Sequence, residues 1–169
     1  MNNSILRSTL LIFIMTCLIL GSACTSKSDT PAGTTAKEER LTLDINATCE
    51  SILAQEFFQD ELAVVDASYS EMLMNITPSE YKSGVIYMGS GATAERLAIF
   101  DAGDDANADA LLNKCKTHVQ EQITSYADYM PKEVDKLEHA IILCKQQYVI
   151  LCVAGNYEEA EVFIRDLLK

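Results

Sequence analysis

Seven consecutive residues, Tyr148–Ala154 (YVILCVA), are apolar on both faces of any strand they form. A strand with one wet face alternates apolar and polar side chains, so a strand without that alternation is central in its sheet and covered. Its hairpin partner is His139–Cys144, reached across Lys145-Gln146-Gln147. A tight turn at Gln146-Gln147 pairs residue 144 with 149 and 141 with 152. Side chains alternate with a period of two, so Cys144 and Cys152 then point to opposite faces and do not form a disulfide.

The other elements gather around that hairpin. Val85-Ile86-Tyr87-Met88 and Glu95–Phe100 read as an earlier pair of strands turned by Gly89-Ser90-Gly91. The strongest helix spans about 104–129, where Ala108, Leu111, Leu112, Cys115, Val119, Ile123 and Tyr126 follow three- and four-residue spacing. Asp104 or Asp105 caps its start and Pro131 closes it. A last helix, Tyr157–Leu168, buries Ala160, Phe163, Ile164 and Leu167, with Asn156 and Glu159 at capping-box-like spacing. Ile45, Cys49, Ile52, Leu53 and Phe57 mark an N-terminal helix over 43–58, and Ser70–Asn75 a shorter helical stretch closed by Thr77-Pro78. Offset by 52 positions, residues 97–115 lie over 149–167, with Ala102-Gly103-Asp104 meeting Ala154-Gly155-Asn156. Each copy ends a strand, turns on Gly and caps a helix. The expected fold is α+β: an N-terminal helix, then two strand-strand-helix units forming a mostly antiparallel four-stranded sheet with helices packed on it.

The order of elements, the segment Tyr129-Met130-Pro131, and His139-Ala140-Ile141-Ile142 leading into Tyr148-Val149-Ile150-Leu151 carry a resemblance. The chain resembles a family of uncharacterised lipoproteins of anaerobic low-GC Gram-positive bacteria, a domain of unknown function. The resemblance covers most of residues 42–168 and is one of pattern. Family members often carry Gly in the second hairpin turn, where this chain has Lys145-Gln146-Gln147. It implies a lipoprotein and supplies no catalytic residues.

Residues 1–24 fit that implication on their own chemistry. One cation (Arg7), an apolar stretch Leu10–Leu20 and the small residues Gly21-Ser22-Ala23 precede Cys24, the layout of a secretory signal. Residues 1–23 therefore read as a lipoprotein signal peptide, with Cys24 acylated as the new N-terminus. Thr9–Ala23 is shorter than a membrane-spanning helix and is interrupted by Thr16. Residues 24–40, rich in Thr, Ser, Ala and charge, read as a disordered tether from Cys24. The sixteen residues after Cys24, taken as flexible coil, span roughly 20–24 Å. Residues 41–169 then form a single α+β domain on the outer, extracytoplasmic face of the cell membrane.

The chain holds 13 Lys+Arg against 25 Asp+Glu. Such a surface repels nucleic acid and anionic wall polymers, so no nucleic-acid partner is expected. Cys49 and Cys115 sit on the apolar stripes of helices, where a free thiol behaves as a small hydrophobe. No CxxC spacing suggests a metal site.

Several motifs are weighed and set aside. Gly89-Ser90-Gly91-Ala92-Thr93-Ala94 fits GxGxxA, yet a strand rather than a helix follows it, so no dinucleotide cofactor is expected. Ser79-Glu80-Tyr81-Lys82 fits SxxK without the companion elements a penicillin-recognising enzyme needs. Asp105, Asn107 and Asp109 alternate like calcium ligands, but Ala110 and Lys116 stand where an EF-hand wants Gly and Glu. His118 and His139, the only two histidines, are expected at surface or half-buried positions. Tyr126, Tyr129 and Met130 cluster at the end of the long helix as packing or as a binding patch. Cys24 is thus the one site residue expected, with no catalytic, cofactor or metal residue. The expected function is a non-catalytic binding module for a protein or small ligand, with the membrane and an envelope protein as partners. The alternative is a small cell-envelope enzyme whose site assembles only on folding.

Overall fold

A computed structural model describes residues 40–169. The expected signal peptide, Cys24 and the tether up to residue 39 lie outside the described residues. The elements run α1 (Ile45–Leu53), β1 (Ala63–Val65), α2 (Ser70–Met74), β2 (Ser83–Met88), β3 (Arg96–Asp101), α3 (Asp105–Tyr129), α4 (Pro131–Glu138), β4 (Ile141–Lys145), β5 (Tyr148–Val153) and α5 (Tyr157–Leu167). Among them no helix is long and apolar enough to cross a membrane.

The strands form one antiparallel sheet in the order β1-β2-β3-β5-β4. β5 lies inside it with every residue buried, as its two-faced apolarity requires, and β3 beside it is buried throughout. Alternate residues feed two cores. Ala98, Phe100, Val149, Leu151 and Val153 face Leu111, Cys115 and Val119 of α3 and Leu137 of α4. Leu97, Ile99, Ile150 and Cys152 face Ile45, Cys49 and Ile52 of α1 and Ala160 and Ile164 of α5. Burying one large aliphatic side chain in such a core contributes about 1.5–3 kcal/mol. Helices thus cover both sides of the sheet.

The register of the second hairpin is 144↔149 and 141↔152, as the turn predicts. Gln146 supplies that turn with φ 50°, a left-handed conformation that a non-glycine residue adopts at a cost. Cys144 packs with the first core and Cys152 with the second. All four cysteines among the described residues are free. Burial pushes the Cys49 and Cys115 thiols up to about 12.

The sheet has five strands rather than four. The additional one, β1, pairs Ala63 with Met88, Val64 with Tyr87 and Val65 with Ile86. Three largely exposed residues carry too short a pattern for alternation to reveal. The N-terminal helix ends at Leu53 rather than 58. Phe57 still packs, from a loop, edge-on to Phe163 at 5.6 Å between ring centroids. Pro131 does not end helical structure. It occupies the first position of α4, where its missing N–H costs no hydrogen bond. His139 therefore caps α4 and the strand begins only at Ile141.

The two matching junctions differ physically. Gly103 has φ 84°, which a side chain would strain. At Gly155 a Cβ would stand 2.9 Å from Gln59 and from Glu95 Oε1. Asp104 caps α3 by accepting from the Asn107 N–H at 2.8 Å. Asn156 makes no side-chain cap to α5, contrary to the capping-box reading. Its own N–H donates to the Phe57 carbonyl at 2.9 Å.

Candidate functional site

The β2–β3 connection is a hairpin loop several of whose donors are committed to Asp60. Asp60 Oδ2 accepts from the Ser90 N–H (2.8 Å), the Ser90 hydroxyl (2.8 Å) and the Thr93 hydroxyl (3.2 Å). Those Ser90 bonds hold the Asp60 carboxyl below the usual carboxylate range. The residues after the loop enter β3, so no helix N-terminus faces a phosphate there.

The same loop leads into two buried charges that no local pattern marks as interior. Glu95 is 1% exposed and Arg96 5%. Glu95 Oε2 accepts from the N–H groups of Gln59 and Asp60, each at 2.8 Å. Glu95 Oε1 makes no hydrogen bond, and the Lys136 ammonium lies 3.2 Å from it. Lys136, 7% exposed, also reaches Glu133 at 3.1 Å and donates to Gln59 Oε1 at 3.0 Å. Glu133 in turn accepts from the Ala94 N–H at 2.9 Å. This network ties the α1–β1 connection, the β2–β3 loop and α4 together.

Arg96 points the other way, toward α3. Its guanidinium donates to the Ala94 carbonyl (3.1 Å), Gln122 Oε1 (3.3 Å) and His118 Nε2 (2.6 Å). Arginine only donates, so His118 Nε2 accepts and the ring proton sits on Nδ1. His118 is 5% exposed, not at the surface or half-buried as its place on a helix flank suggested. Burial, reinforced by Arg96, lowers its pKa to about 4. These groups satisfy one another inside the fold, an arrangement that fixes geometry.

The other motif residues fall apart in space. Ser79 lies in a 3-10 turn, its hydroxyl 3.0 Å from that of Thr77. Lys82 turns to Asp101 at 3.8 Å. Asp105, Asn107 and Asp109 lie in α3, and Asp105 meets Arg40 at 3.4 Å. No group of acids, histidines and cysteines among the described residues could hold a metal ion. His139 stacks on Tyr157 with ring centroids 4.2 Å apart. Tyr126 and Tyr129 stay together, with ring centroids 5.1 Å apart, but differ in exposure. Tyr126 is buried beside Arg96, Met130 packs against the first core, and Tyr129 alone is widely exposed.

Among the described residues an open, shallow concavity of about 470 Å³ lies on the outer flank of α5. Phe57, Val162 and Phe163 form its apolar floor, and Glu158, Glu159 and Asp166 its rim. Val162 is 66% exposed. Sequence reading placed Phe57 and Phe163 in the core, and the structure buries Phe57 there with Phe163 half-buried against it. The remaining clue was Val162, off the buried stripe of α5 yet apolar. A smaller hollow of about 210 Å³ beside α3 includes Lys114, His118 and Glu121. There Lys114 is engaged by Glu80 at 2.6 Å and by the Asn75 carbonyl at 2.7 Å. The α5 groove offers Val162 and half-buried Phe163 beside the carboxylates of Glu158, Glu159 and the Lys169-engaged Asp166, and it can hold an apolar anchor carrying positive charge.

The sequence profile of a family described as Domain of unknown function (DUF4358) matches residues 56–154. That span holds all five strands, α2, α3, α4 and the buried Glu95–Lys136 and Arg96–His118 pairs. No curated protein and no solved structure matches the chain.

Proposed function

The chain belongs to the DUF4358 family, whose description assigns no activity, and from that premise we propose that it is a non-catalytic binding module. In this reading acylated Cys24 holds it on the outer face of the membrane, and the α5 groove docks a segment of an envelope protein. The observation that carries the reading is the groove itself, a floor of exposed Val162, half-buried Phe163 and the buried Phe57 within a rim of three carboxylates. Apolar floor with acidic rim selects an aromatic or aliphatic anchor flanked by Lys or Arg. The interior charges support the same reading, because Glu95 and Lys136 pair inside the fold and Arg96 bonds His118, Gln122 and the Ala94 carbonyl rather than facing the groove. A groove of this kind binds by displacing water from apolar surface, and its rim sets which anchors enter.

A synthetic peptide with a central Phe-Leu pair between lysines is the probe. Titrated into the acylated protein in detergent micelles, it should shift the NMR signals of Phe57, Val162 and Phe163. Affinity should fall about tenfold with Glu159→Lys and Asp166→Lys together, since both rim attractions become repulsions. Shifts confined to other surfaces, or none, would remove the groove from the account.

A further inference from the structure

β4 is the outer strand on one side of the sheet, and no strand of the described residues pairs with its far edge. In an antiparallel pair alternate residues turn their N–H and C=O groups away from the partner, so β4 presents a row of unused donors and acceptors. Proteins usually blunt such an edge with a proline, a bulge, a charge or brevity. The opposite edge strand, β1, is three residues long. β4 has five residues, pairs with β5 at each of them, and is apolar from Ile141 to Cys144. Two hollows flank it. One of about 240 Å³ includes His139, Tyr157 and Glu161 near Ile141, and one of about 350 Å³ includes Lys145, Leu168 and Lys169.

Charge along this edge is asymmetric. The end that enters β4 carries Asp135 and Glu138, and the end that leaves it carries Lys145. Neither Glu138 nor Lys145 has an ion-pair partner among the described residues, and both are exposed. An antiparallel copy of the same edge reverses that order, so each acidic end meets a basic one. An acidic or basic foreign strand would match one end and oppose the other.

We propose that β4 pairs antiparallel with β4 of a second copy of this chain, centred on Leu143. The two five-stranded sheets then become one continuous sheet about a two-fold axis. Leu143 faces Leu143, Cys144 faces Ile142, and Lys145 lies over the Glu138 end of the second copy, twice by symmetry. The surface used is the opposite flank of α5 from the Phe57–Val162–Phe163 groove, so the inference stands independently of the proposed function.

Sedimentation equilibrium of the whole chain in density-matched detergent tests it. A dimer is expected. Lys145→Glu or Glu138→Lys alone should raise its dissociation constant about tenfold, each change acting at two symmetric contacts. The double variant should return to within about threefold of the starting value, because the reversed charges meet again. Both positions are exposed, and a thermal melt of each variant confirms that it is folded. Under oxidation Ile142→Cys should give a disulfide-linked dimer through the native Cys144, lost with Cys144→Ser. A monomer at every concentration, a dimer indifferent to the charge reversals, or absence of the Ile142→Cys adduct overturns the proposal.

Discussion

Replacing Lys136 by alanine should destabilise the fold by about 3–5 kcal/mol, the usual effect of stripping one partner from a buried ion pair. The size follows from where the pair sits. Glu95 has a fully buried side chain, and its Oε1 has the Lys136 ammonium at 3.2 Å and no hydrogen bond. Without that cation the carboxylate keeps only the Gln59 and Asp60 N–H groups on Oε2. It must then stay buried with Oε1 unpaired, which costs stability. Exchanging both partners for neutral groups of similar shape, Glu95→Gln with Lys136→Met, should recover most of the loss. Urea denaturation at pH 7 reads both effects as shifts in the midpoint. A loss below about 1 kcal/mol for Lys136→Ala would mean that the ammonium matters little there.

Acid should weaken the fold through His118 before the carboxylates titrate. Its pKa in the folded state is about 4 against the ordinary 6.5. The shift comes from burial first and then from the Arg96 guanidinium. Below pH 6.5 the unfolded chain binds a proton that the folded chain refuses, so stability falls as pH drops and the loss is complete near pH 4. A shift of this size corresponds to about 3 kcal/mol over the whole window, and to about 2 kcal/mol between pH 7 and pH 5. Arg96 from β3, in contact with the ring, opposes its protonation. Urea midpoints at pH 7, 6 and 5 should show this loss in the wild type. His118→Gln, whose amide oxygen can still accept from Arg96, should flatten the profile in that window. Equal pH dependence in both proteins would assign the acid sensitivity to other groups.

What the sequence displayed clearly was periodicity carried over enough residues. YVILCVA is apolar on both faces and became the covered inner strand, and the tight turn after Lys145 set the register through Cys144 and Cys152. The long stripe from Ala108 to Tyr126 became α3. What stayed hidden depended on tertiary partners. β1 is a strand because Ser83–Met88 offers it an edge, and three residues carry no period of their own. Pro131 can stop one helix or open the next, and only the packing of Leu137 decides for α4. Glu95 and Arg96 look like turn-flanking surface charges. Their partners Lys136 and His118 are distant in sequence, so no local rule predicts the burial. The α5 groove was obscured likewise, because Phe57 and Phe163 read as core and join only through folding.

The central claim, a membrane-displayed module that docks an envelope protein through the α5 groove, is most directly tested by site-specific photo-crosslinking in the native cell. A photoreactive amino acid at Val162, in the whole chain with Cys24 intact, should give one reproducible protein adduct in the membrane fraction. That adduct should disappear with Glu159→Lys and Asp166→Lys together, and it should not form from Gln120 on the exposed side of α3. With Cys24→Ala the protein should leave the membrane fraction and the adduct with it. Equal adducts from Val162 and Gln120, an adduct unaffected by the rim reversals, or membrane retention without Cys24 would contradict the account.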